Sequence, residues 1–121
     1  MRVYYASMTG NVRRFIQKTG LDTTDISCNP NPKEPFVLVT YTFGFGAVPK
    51  EVDAWLTQNY KLLKGVAVSG NRNWGDNYGK AGDLIARKYN VPLLHKFELA
   101  GTDEDVQIFN ERLLMVCDTT N

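Results

Sequence analysis

The chain is poor in the residues that carry most side-chain catalysis and metal binding. Its 121 residues include a single histidine, His95, and two cysteines, Cys28 and Cys117. One imidazole with no Cys/His cluster around it argues against a protein-bound transition metal. It also leaves no Ser/His/Asp or Cys/His set for nucleophilic catalysis, so His95 is read as a strand residue with a satisfied ring. The cysteines lie far apart and form no CxxC pair. In a reducing compartment both are expected to be free thiols, one in a loop and one on a helix face. A charge excess is missing too. Lys and Arg number 14 against 13 Asp and Glu, a formal net charge of +1, which gives no electrostatic case for nucleic acid or membrane. No apolar run approaches the length that spans a bilayer. Residues Met1–Tyr5 lack the apolar stretch of a signal peptide, so a cytoplasmic location is expected. Internal repeats, low-complexity segments and linkers are absent as well.

What is present suits one globular domain, 1–121. Hydrophobic residues make up 43% of the chain and charged residues 22%, enough for a real core. Strand and helix signals alternate. Val3–Ala6 reads as a strand, 11–19 as a helix stopped by Gly20, and Thr23–Ile26 as a short strand. Phe36–Tyr41 is apolar without alternation, as in a strand covered on both faces. Pro49 suits a helix start, after which Val52, Trp55, Leu56 and Tyr60 share a face. Gly65–Ser69 reads as another buried strand, and Ala81, Leu84, Ile85 and Tyr89 as a helix face. Leu93–Leu99 completes the strands. A last helix begins near Thr102 with acids in its first turn and an inner face of Val106, Phe109, Leu113, Val116 and Cys117.

Such alternation predicts an α/β fold, a five-stranded parallel sheet with helices on both faces. The order 2-1-3-4-5 fits, with a ligand site at the carboxyl ends of strands one and three. One crossover departs from the usual pattern. Ser27–Pro35 holds too many prolines for a helix, yet nine extended residues reach roughly 30 Å, enough to pass over strand one. The helix between strands two and three is therefore expected to be absent.

That topology brings three loops to one edge. Ser7-Met8-Thr9-Gly10-Asn11 turns a strand into a helix through hydroxyls, a glycine and an amide, a pattern that suits a phosphate; it also suits a simple helix cap. Thr42-Phe43-Gly44-Phe45-Gly46-Ala47 and 70–79 carry glycine, amide and aromatic residues. Phe43, Phe45, Trp74 or Tyr78 can lie against a flat heteroaromatic ring, while glycine peptides hydrogen-bond its edge. The same residues also suit ordinary turns, or a core position for Trp74. Taken together the loops describe a site for a ring bearing one phosphate, and FMN fits. The dinucleotide and P-loop fingerprints fail on spacing, and Ala81 stands where the P-loop hydroxyl belongs. A phospho-accepting receiver would need aspartates where Ser7 and Thr42 stand.

The Ser7–Asn11 turn resembles the flavodoxin phosphate loop. Together with 40–46 and Ser69-Gly70-Asn71-Arg72-Asn73-Trp74-Gly75, the chain is similar to NrdI, the small flavodoxin-like flavoprotein family of class Ib ribonucleotide reductase systems. The resemblance spans nearly the whole chain, including the missing crossover helix. It implies noncovalent FMN, reduced by an electron donor, that reacts with molecular oxygen. The resulting superoxide or related oxidant would then help assemble the dimanganese-tyrosyl radical cofactor in the reductase small subunit. The manganese belongs to that partner.

The same resemblance places Ser7, Thr9, Gly10 and Asn11 on the phosphate, with Met8 and Val12 nearby. It sets Tyr41, Thr42, Phe43, Gly44, Phe45 and Gly46 along the flavin N5 edge. Asn71, Arg72, Asn73, Trp74 and Gly75 fall on the other side, with Trp74 the stacking candidate. No catalytic side chain is assigned, because the flavin carries the electron chemistry; the protein is an activator or electron-transfer protein rather than a conventional enzyme.

Two expectations follow. A peptide at Gly44 or Gly46 can turn its carbonyl toward N5–H on reduction. The ring-side loops hold Arg72 and only Asp76 as an acid, so carboxylate repulsion of reduced flavin is expected to be weak. The rival readings are a short flavodoxin carrying electrons generally, and a flavodoxin-like module that has lost its cofactor. A monomer is the default.

Overall fold

The computed structural model describes residues 1–119. Five parallel strands form one sheet: β1 (Arg2–Tyr5), β2 (Thr23–Asp25), β3 (Phe36–Tyr41), β4 (Leu63–Gly70) and β5 (Leu93–Glu98). Their order is β2-β1-β3-β4-β5, as the alternation of strand and helix signals predicts. Helices α1 (Asn11–Thr19), α2 (Lys50–Asn59), α3 (Lys80–Tyr89) and α4 (Asp103–Thr119) cover the two faces.

The strand residues split between the faces with the two-residue period of a pleated strand. Val37 and Val39 of β3 join Val12, Phe15 and Ile16 of α1 and Val106, Phe109, Leu113 and Val116 of α4. Phe15 stacks on Phe97 with centroids 3.9 Å apart and meets Phe109 edge-on at 5.5 Å. Phe36 and Leu38 face the other way, toward Val52, Trp55 and Leu56 of α2 and Ile85 of α3.

The missing crossover helix is replaced by side chains. After β2 the chain makes a short 3-10 turn, Ile26–Cys28, started by the Asp25 carboxylate accepting the Ser27 N–H at 2.9 Å. Ile26 is buried and Cys28 exposed. Trp55 of α2 links the crossing segment to the sheet. It packs on Tyr4 and Phe36 at 5.4 and 5.3 Å, and its indole N–H donates to Pro30 O at 2.9 Å. The proline-rich segment is thus tied to the face it crosses.

Several boundaries differ from the sequence reading. β2 stops at Asp25 rather than Ile26, because that carboxylate caps the next turn. Tyr60 does not share the buried face of α2; it opens a 3-10 turn, Tyr60–Leu62, and is 44% exposed. β4 begins two residues before Gly65. β5 ends at Glu98 because Leu99 turns to φ 53°.

His95 lies on β5, with Nε2 2.7 Å from Asp105 Oδ1 in the first turn of α4. The other carboxylate oxygen of Asp105 accepts from Thr102 N–H at 2.8 Å, and Thr102 Oγ1 accepts the Asp105 N–H at 3.1 Å. This reciprocal cap fixes the loop between β5 and α4. Burial raises the Asp105 pKa, but the bonds from His95 and Thr102 outweigh it, and the group sits below its ordinary value.

Candidate functional site

The three loops meet at the carboxyl edge of the sheet, around a cleft of about 150 Å³. The cleft adjoins a second hollow of about 530 Å³ bordered by Phe43, Lys50 and Glu51. Ser7, Met8 and Tyr41 border both.

The first wall is the turn into α1. Gly10 stands at φ 91°, a conformation that side-chain-bearing residues enter only with strain. No side chain caps α1 at that position. Ser7 Oγ accepts the Arg13 N–H at 3.3 Å, and Arg14 N–H returns to Gly10 O at 2.9 Å. The amides of Asn11 and Val12, which begin the helix, have no protein acceptor among the described residues. A helix start with open amides beside Ser and Thr hydroxyls is chemically fit for an anion. Ser7, Met8, Thr9, Asn11 and Val12 all border the cleft; Gly10 shapes the turn without bordering it.

The second wall follows β3. Phe43 and Ala47 exchange backbone hydrogen bonds of 2.9 and 2.8 Å, closing a small turn. Gly44 and Gly46 have φ of 55° and 118°. A Cβ on Gly46 would lie 3.1 Å from Lys80 Cδ and 3.3 Å from Asn77 Cβ, so glycine also lets this turn close on the next loop. Tyr41, Thr42 and Gly44 border the cleft. Phe43 falls in the adjoining hollow, Gly46 is buried behind the turn, and Phe45 projects from its tip at 75% exposure.

The third wall follows β4. Asn71 Oδ1 accepts the Asn73 N–H at 2.9 Å and Asn71 O accepts the Trp74 N–H at 3.0 Å. That asparagine turn starts a 3-10 segment, Arg72–Asn77, interrupted at Gly75 with φ 55°. Asn71 and Trp74 border the cleft; Arg72, Asn73 and Gly75 do not. Trp74 meets Phe45 edge-to-face at 5.0 Å and 88°, joining the second and third walls. Tyr78, a ring-stacking candidate in the sequence, lies outside the cleft. The Arg72 guanidinium and the Lys96 amine sit over its ring at 5.5 and 5.9 Å.

A fourth contribution escaped sequence reading. Leu99 borders the cleft from beyond β5, while Ser69 and Gly70 at the end of β4 and Asn77 in the 70–79 loop border it from the third wall. Ser69 Oγ–H donates to Leu99 O at 2.6 Å, and Leu99 N–H donates to Gly70 O at 3.0 Å. Ser69 and Gly70 end a predicted strand, and their place in the cleft follows from the strand order. Leu99 carries no local signal, because its backbone conformation is imposed by these long-range bonds.

Among the described residues no carboxylate borders the cleft itself. Two lie close by on elements the loop sequences do not contain. Glu51 of α2 accepts a hydrogen bond from the Tyr41 hydroxyl. Burial first, and then Glu51, push the Tyr41 phenol above its ordinary pKa, so it remains a protonated donor. Glu98 of β5 accepts the Arg72 N–H at 3.2 Å. The acid count of the ring-side loops therefore understates the local negative charge.

A doubly wound parallel sheet with its cleft across the carboxyl ends of β1, β3 and β4 defines a flavodoxin-like protein. Residues 3–111 match the model of the NrdI flavodoxin-like family. The chain belongs to that family, whose flavodoxin-like character implies flavin binding. A short-chain flavodoxin associated with a non-canonical PDU bacterial microcompartment shares the fold, with a TM-score of 0.75 and 21% identity over 99% of this chain and 97% of its own. A cysteine-to-alanine mutant of flavodoxin from Pseudomonas aeruginosa aligns over 98% of this chain and 96% of its own, at TM-score 0.49 and 16% identity. No described helix is long and apolar enough to cross a membrane, and no described His/Cys/Asp/Glu group suits a metal ion.

Proposed function

We propose that this single domain binds FMN in the carboxyl-edge cleft. Its role in this reading is to activate the dimanganese small subunit of a class Ib ribonucleotide reductase in the cytoplasm, acting as a monomer. The observation that carries the reading is the juxtaposition of an anion-ready helix start with a wall of Trp74, Thr42, Gly44 and Leu99, in a chain of the NrdI flavodoxin-like family. Bound there, FMN would supply the redox chemistry, with electrons from a donor reducing molecular oxygen to superoxide or a related oxidant for the metal-tyrosyl radical cofactor.

The protein's part is to hold and expose. Ser7, Thr9, Gly10 and Asn11, with the Asn11 and Val12 amides, hold the phosphate, and Met8 and Val12 pack beside it. Trp74 covers a ring face, with Asn71 on the same wall. The Tyr41 hydroxyl donates a hydrogen bond to Glu51 and so holds that carboxylate beside the cleft. The carbonyl of the Gly44 or Gly46 peptide, at φ 55° and 118°, would accept a hydrogen bond from N5–H of the reduced flavin. Phe43, Phe45 and Trp74, 49%, 75% and 45% exposed, leave the mouth open for the partner and for the oxidant to leave.

The test adds oxygen to the reduced, FMN-loaded protein together with the manganese-loaded reductase subunit, with tyrosyl radical followed by electron paramagnetic resonance. Radical that depends on this protein supports the reading. No radical, with efficient electron delivery to an unrelated acceptor instead, would establish the short-flavodoxin alternative.

A further inference from the structure

The α1 turn carries a cation that the phosphate reading has not used. Arg14 lies on the exposed side of α1, one turn after Gly10. Its side chain runs back toward the turn, as helix side chains do. Nη2 donates to Asn11 Oδ1 at 2.8 Å. Nη1 stands 3.1 Å from the place a Cβ on Gly10 would take, so the guanidinium lies against the turn itself.

Two neighbouring arginines are neutralised: Arg2 pairs with Asp22 at 3.4 Å and Arg13 with Asp25 at 3.5 Å. Arg14 makes no ion pair among the described residues. Its side-chain partner is a neutral amide at the edge of the cleft.

That bond has a directional consequence. A guanidinium only donates, so the Asn11 oxygen must be the atom facing Arg14. With its oxygen committed, Asn11 presents its NH2 group, a pure donor, to whatever occupies the turn. Arg14 thus acts in two ways. It fixes Asn11, which borders the cleft, as a donor, and it sets a positive charge that no carboxylate among the described residues pairs against Gly10, behind the cleft wall rather than in it.

We propose that Arg14 is the specificity residue for the phosphorylated end of the ligand, the group by which this chain prefers a flavin mononucleotide to the unphosphorylated flavin. The proposal rests on the flavin reading of the cleft, and the experiment separates the two. The apoprotein is titrated with FMN and with riboflavin, at about 0.01 M and about 1 M salt, where screening is weak and strong respectively.

Arg14→Gln is expected to weaken FMN about tenfold at low salt, the scale of one charge-assisted contact, and to leave riboflavin within about twofold. At high salt the gap between wild type and variant is expected to shrink. Arg13→Gln, which removes a cation already paired with Asp25, is expected to change FMN binding much less. Equal losses for FMN and riboflavin in Arg14→Gln would overturn the proposal, because they mean a structural role. So would unchanged FMN affinity, or an equal loss in both arginine variants, which means net charge alone. Wild-type protein that takes up neither flavin overturns the flavin reading itself, and the role of Arg14 with it.

Discussion

The turn after β1 and the walls across the cleft from it are held by different means. Ser7–Asn11 is closed locally, by the Gly10 backbone conformation, the first turn of α1 and Ser7 Oγ on the Arg13 amide. The facing walls have local turns of their own, but they are also tied to distant parts of the chain. Thr42 Oγ1 donates to Ser69 O at 3.1 Å, Arg72 N–H to Glu98 at 3.2 Å, and Ser69 Oγ to Leu99 O at 2.6 Å. Phe45 and Trp74 meet across the mouth. A locally closed turn is a fixed anchor. A wall assembled from several strand ends can be adjusted by changes far from the ligand, and suits the part of the site that tunes chemistry.

The sharpest break of this contrast is Gly10→Val. A β-branched residue at φ 91° is strained, and its Cβ would crowd Arg14. FMN affinity is expected to fall roughly a hundredfold, from strain on the order of 1–3 kcal/mol together with the lost approach of the turn. Flavin fluorescence titration checks the loss, and circular dichroism checks that the fold is retained.

Trp74→Ala tests the other side. Losing one aromatic contact is expected to weaken FMN and riboflavin alike by about tenfold or less. Equal effects on both ligands place Trp74 on the ring; an effect confined to FMN would erase the division between anchor and wall.

The smallest effect is expected from Asp105→Asn, which loosens the cap behind Leu99. It should cost about 1 kcal/mol of folding stability at neutral pH, measured by urea denaturation. The Asp105 pKa is lowered in the folded state. Its contribution is therefore present above the ordinary carboxylate range and is lost as pH falls through the folded value. The gap between wild type and variant should begin to narrow as pH falls below about 4 and close only below the folded value.

The contrast also explains how much of the site could be read from the sequence. The strand order and the missing crossover helix were legible because β3 is apolar on both faces and Asn29–Pro35 cannot form a helix. The Ser7–Asn11 turn was legible because its chemistry is contiguous. Leu99 was not, since nothing beside it in the sequence announces that Ser69 and Gly70 will bind its backbone. The position of Arg72 in the loop points to the ring, but Asn71 begins a turn that carries it toward Glu98 and Tyr78. Glu51 gives no local signal, because it reaches the site only through Tyr41, from the exposed side of α2.

We propose that one cleft holds a phosphate-bearing flavin between the α1 turn and the Trp74 wall. The most direct test is the visible absorption spectrum of the protein after incubation with excess FMN and removal of free ligand by gel filtration. The expected result is a yellow protein retaining FMN in equimolar amount. A colourless protein would contradict the proposal and leave the fold as a scaffold without its cofactor.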